Sequence, residues 1–189
     1  MNTLEGCKTY LESVIKQFLY YKKLGEQAIA QLDDTSLHWQ YNQESNSITI
    51  IVQHLTGNML SRFTDFLTTD GEKTWRKRDE EFEDQPIDRK ELMIVWNKGW
   101  TCLLDTMYNL RPSDLDSIIY IRNEGHTVVE AINRQLAHYA YHVGQIVYLA
   151  KMIKDDTWET LSIPRNGSAQ YNRKKFGQKK SKRHFTDKP

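Results

Sequence analysis

Apolar positions recur at steps of three and four along four stretches of the chain, and each stretch predicts an amphipathic helix. The first carries Leu4, Cys7, Leu11, Val14, Phe18, Tyr21, Gly25, Ala28 and Leu32 on one seam. Thr3 is placed to cap it, and Asp33, Asp34, Thr35 and Ser36 to stop it. Trp39 and Tyr41 then read as anchors that pin the following connection onto the helices. The second stretch, with Ile51, Leu55, Met59, Phe63 and Phe66 inward, predicts a helix from Asn46 or Ser47 to about Thr68. Asp88 with Glu91 has capping-box spacing and opens a third helix, which turns Leu92, Val95, Trp96, Gly99, Leu103 and Met107 inward. Thr127 with Glu130 opens the fourth. It carries a stripe of Ile132, Leu136, Tyr139, Val143, Ile146 and Leu149 and runs to about Lys154.

The connections decide how these helices are assembled. Asp70-Gly71 breaks the second helix, and a charge-dense connection spans Thr69 to Ile87. At roughly 3.3 Å per residue it reaches about 60 Å, against about 33 Å for a 22-residue helix, so it can cross the whole molecule. Arg111-Pro112-Ser113 ends the third helix. Ser117 to Arg122, rich in β-branched and aromatic residues and followed by Asn123-Glu124-Gly125 as a turn, predicts a short extended excursion or hairpin. The fold class is therefore all-α: a four-helix bundle with a long crossover between helices two and three and an extended excursion before helix four.

Composition narrows the class further. A chain of 189 residues with 27% charged and 39% hydrophobic positions suits one helical domain. Its apolar runs are too short to span a membrane, and the N-terminus lacks the pattern of a secretory signal, so a cytoplasmic protein is expected. Cys7 and Cys102 read as two buried thiols, not a disulfide framework. Charge is unevenly placed: residues 165–189 hold nine Lys and Arg against Asp187 alone. Residues 1–164 form the acidic bundle domain, and 165–189 read as a basic, flexible tail. No nucleic-acid motif accompanies the tail, and specific nucleic-acid binding is not expected from it.

The chemistry sits on the second and fourth helices. His138 and His142 are one helical turn apart on the edge of an apolar stripe and can both reach one metal ion. On the second helix His54, Asn58 and Arg62 form a polar line at intervals of four. His54 is the candidate third ligand. From spacing alone, such a line is more commonly a solvent-facing boundary row. His126 lies about 18 Å along the axis from His138, too far to join. His38 and His184 read as solvated.

The stretches SITIIVQHLTGNMLSRFTDFL, YIRNEGHTVVEAINRQLAHYAYHVGQIVYLAK and WETLSIPRNGSAQYN resemble the DinB-like (YfiT-like) superfamily of metal-binding helical bundles. Within it they resemble a bacterial group of unassigned function. The resemblance implies one metal ion held by His54, His138 and His142. It also implies a homodimer, and an activity of the thiol-S-transferase type on a small molecule. Three histidines suit Zn or Ni first, with Fe or Mn also compatible. A divalent ion with an open position can acidify water or bind a thiol as thiolate, giving hydrolase and thiol-transferase readings. Tyr139, Ala140 and Tyr141 lie between the paired histidines, with no carboxylate to act as base, which favours the thiol. No catalytic residue is assigned. Asn58, Arg62, Arg134 and Gln145 are candidate supports for ligands or substrate. A metal-stabilised dimeric module without catalysis is the competing class.

Overall fold

The computed structural model describes residues 4–187, so the proposed cap Thr3 lies outside the described residues. The chain is mostly helical, with six α-helices among the described residues and one two-stranded sheet. They are α1 (Leu4–Ile29), α2 (Asp34–Leu37), α3 (Ile48–Phe63), α4 (Arg89–Asn109), α5 (Val128–Lys154) and α6 (Ser168–Phe176). The hairpin pairs β1 (Ile118–Ile121) with β2 (Glu124–Thr127) in antiparallel register, Ile118 opposite Thr127.

The helix starts follow local chemistry. Ser47 accepts from the Ile50 amide at the head of α3, and both capping boxes form, Asp88 with Glu91 and Thr127 with Glu130. The α1 seam faces the core from Leu11 onward, while Leu4 is exposed. Beyond Ile29 the chain turns, and Asp33 caps the short α2 by accepting from the Ser36 amide. The second expected helix ends at Phe63, five residues before Thr68. Asp65 takes a positive φ of 49°, and its carbonyl turns back to accept from the Thr68 and Thr69 amides. The hairpin turn falls on Arg122 and Asn123, both at positive φ as a two-residue hairpin requires, so Glu124 and Gly125 belong to β2.

Four long helices surround one core. α1 runs parallel to α5, with Tyr10 near Asn133 and Gln31 near Glu159. Likewise α3 runs parallel to α4: the Thr56 hydroxyl donates to the Val95 carbonyl and that of Thr106 to the Phe63 carbonyl. Their backbones nearly touch, since a Cβ on Gly99 would lie 2.9 Å from Thr56 Cα. Parallel neighbours need a long return, and residues 64–88 supply it, passing the hairpin and then a 3₁₀ turn, Asp79–Phe82, against α3.

Several surface expectations are corrected. Tyr41 is 73% exposed, and among the described residues its ring meets that of its neighbour Trp39, so it does not pin the connection onto the helices. Cys7 and Cys102 are half-buried, not buried. His38 is held between the Asp84 carboxylate and the Ile87 carbonyl, and His184 lies against Ser13 Oγ, so neither is freely solvated. Part of the basic tail forms α6, and its last described residues lie on α1 through the Lys16–Asp187 ion pair and the Tyr20–Phe185 ring contact.

Candidate metal centre

His54 stands in the middle of α3, and His138 and His142 in the middle of the antiparallel α5. The polar line of α3 is not a solvent-facing row: His54, Asn58 and Arg62 are all buried. The crossover covers that face, which the spacing of α3 alone cannot reveal. One ligand atom from each histidine lies within 4.8 Å of the other two. His138 Nε2 is 3.4 Å from His54 Nε2 and 3.1 Å from His142 Nε2. Two nitrogens each about 2.05 Å from a tetrahedral ion are about 3.3 Å apart, so the spacing fits one ion.

The protons on the far nitrogens decide what the near ones offer. His54 Nδ1 faces Glu81 Oε2 at 3.0 Å, and His142 Nδ1 faces Gln145 Oε1 at 2.8 Å. With Nδ1–H donated to those oxygens, both Nε2 atoms present lone pairs. His138 Nε2 meets both lone pairs and has at most one proton to share. A cation among the three resolves the conflict, which is the chemistry of a metal site. Burial, and after it the repulsion of a charged His142 or His54, pushes His138 down to about 3. Burial likewise pushes His142 down to about 4 despite its bond to Gln145. Both rings are therefore neutral at neutral pH, the state in which an imidazole can bind a metal ion.

Glu81, from the 3₁₀ turn in the crossover, is a member of this site that the charge-dense segment hides in the sequence. Burial raises its carboxyl, but hydrogen bonds from Arg76 and His54 outweigh that and hold it below the usual range. Arg76 Nε donates to Oε1 at 2.7 Å and Nη2 to Oε2 at 2.8 Å, a two-pronged clamp from a side chain only 2% exposed. Gly57 makes the seat: a Cβ there would meet Glu81 Oε1 at 2.0 Å. A glycine in mid-helix, three residues after a candidate ligand, was the one sequence signal of a close approach. Phe82 covers the outer face of His54, with ring centroids 5.0 Å apart.

The remaining candidates divide. Gln145 supports His142 directly. Asn58 accepts from the buried Tyr139 hydroxyl at 2.9 Å, one turn from His54. Arg62 points toward the crossover, bonding the Gly71 carbonyl and Glu72. Arg134 is exposed and takes no part in the cluster.

The described features define a class: a helical protein with a three-histidine cluster able to hold a metal ion. No helix among the described residues is long and apolar enough to cross a membrane. The family model described as "Protein of unknown function (DUF1572)" matches residues 5–167, and the chain belongs to that family. No curated protein and no solved structure matches it.

Proposed function

We propose that the chain is a DinB-like four-helix-bundle protein whose body, residues 1–164, holds one divalent ion through His54, His138 and His142. In this reading it transfers a low-molecular-weight thiol to a small electrophile, as a homodimer. The observation that carries the metal reading is the convergence of three Nε2 atoms with two Nδ1 atoms already engaged by Glu81 and Gln145. A divalent ion on three neutral ligands keeps its charge and an open position, and lowers the pKa of a thiol or water bound there.

The chain's own residues favour the thiol over water. Glu81, the carboxylate that His54 engages, serves the far nitrogen of that ring and is clamped by Arg76, so it is not free to take a proton at the near side. Tyr139 is no base either, because burial holds its hydroxyl protonated and it donates to Asn58. A thiol needs less help to lose its proton. His138 is the least buried of the three imidazoles, and Tyr141, 57% exposed, lies beside His142 with ring centroids 4.2 Å apart. These two residues mark the side from which a small molecule arrives.

The test is metal content by elemental mass spectrometry of protein purified without a nickel column, alongside His54→Ala and His138→Ala. About one divalent ion per chain, lost in both variants, is the expected result, with thiol consumption against a model electrophile lost in parallel. A chain without metal, whose variants are only less stable, overturns the reading and leaves a helical interaction module.

A further inference from the structure

The carboxylate that orients His54 comes from neither ligand helix. It comes from the crossover, and the crossover is tied at its other end to the hairpin. Asp70 accepts from the Arg122 and Asn123 amides of the hairpin turn at 2.8 and 2.9 Å, and the Gly71 amide donates to the Tyr120 carbonyl at 2.7 Å. Glu72 pairs with Arg122 at 2.9 Å, with the buried Arg62 at 3.3 Å, and with Arg76 at 3.8 Å. Arg76 then clamps Glu81, and Glu81 meets His54 Nδ1. One run of ion pairs and hydrogen bonds thus leads from the exposed hairpin turn to a ring of the histidine cluster.

From this geometry we propose that Glu81 is a positioning residue for the metal centre, so that folding of the crossover onto Gly57 and loading of the histidine cluster are one coupled event. The inference rests on the metal reading above. A crossover lifted from α3 removes the acceptor that fixes the His54 tautomer, and the ring is then free to turn its other nitrogen inward. Conversely, an ion that needs His54 Nε2 as a lone-pair donor favours Nδ1–H, the state that binds Glu81. Each therefore stabilises the other, as linkage requires. Gly57 gives a lever that touches no ligand. An alanine there improves helix propensity but places a methyl where the Glu81 carboxylate sits.

The experiment measures Zn2+ affinity by chelator competition for the full chain, Glu81→Gln and Gly57→Ala, with far-UV circular dichroism and thermal unfolding of each metal-free protein. Both variants are expected to lose about 10–100-fold in affinity. Gly57→Ala is expected to do so while its metal-free helix content is undiminished. Hydrogen exchange of residues 72–82 slows on adding Zn2+ to the unmodified chain and not to Glu81→Gln. Unmodified chain that binds Zn2+ with both variants within twofold of it overturns the inference. Zn2+ binding with no change in crossover exchange overturns the coupling. Failure of the unmodified chain to bind Zn2+ at all overturns the metal reading instead, which keeps the two failures apart.

Discussion

Two regions of the core are built on different principles. Where α1, α4 and α5 meet, Phe18, Trp96, Trp100 and Tyr139 pack ring against ring, with centroids 5.4 to 6.5 Å apart. Gly25 makes room for the Trp96 indole, whose edge would lie 2.7 Å from a Cβ there. Where α3, α5 and the crossover meet lie the buried His54, His142 and Arg62, with the side chains of Arg76 and Glu81 only 2% and 10% exposed. The first region is held by apolar area removed from water, a non-directional force that tolerates reshaping. The second is held by matched partners, and buried ion pairs contribute little net stability over apolar filling of the same volume. What the polar region supplies is geometry at the histidine rings.

Single substitutions cost both regions alike, and a second substitution separates them. Trp100→Ala opens a cavity in the apolar region and is expected to cost about 3–5 kcal/mol by urea unfolding. Arg76→Met strands the Glu81 carboxylate and is expected to cost about as much, roughly 3–5 kcal/mol, because an uncompensated charge remains buried. Adding Glu81→Gln to Arg76→Met should restore most of that stability yet leave Zn2+ affinity low. A double variant that recovered both would erase the distinction between the two regions. The smallest effect is on pH dependence. His138 and His142 are pushed to about 3 and about 4 in the folded chain, below the ordinary 6.5. The unfolded chain therefore binds more protons below pH 6.5. Metal-free protein should lose stability as pH falls from about 6.5 toward 4, and a variant with Gln at 138 should lose less. Urea midpoints across that range measure the difference.

Legibility in the sequence follows the range of the interactions. The two capping boxes and the i, i+4 histidine pair are local patterns, and the structure forms them where the spacing puts them. His54 was within reach because α3 also carries a clear apolar stripe beside it. Arg134 shows where spacing misleads. Each step of four residues on a helix turns about 40° past a full circle. Along α5 the series therefore passes from exposed Arg134 through half-buried His138 to buried His142. A residue one turn before an edge ligand lies outside the edge. Glu81 and Arg76 were illegible for another reason. Their segment is dense in charge, which reads as solvated loop, and the contact that gives it meaning spans 27 residues. Only the folded crossover shows that two of those charges are buried against α3.

The pairing of helices has a mechanical consequence. α1 with α5 and α3 with α4 are the two intimate, parallel pairs, and the seams between pairs are looser. His54 belongs to one pair and His138 and His142 to the other, 84 residues on from His54 to His138. An ion gripped by all three would be a rivet driven through the joint between the two pairs. It would resist their sliding past one another far more than it would alter the packing within either pair.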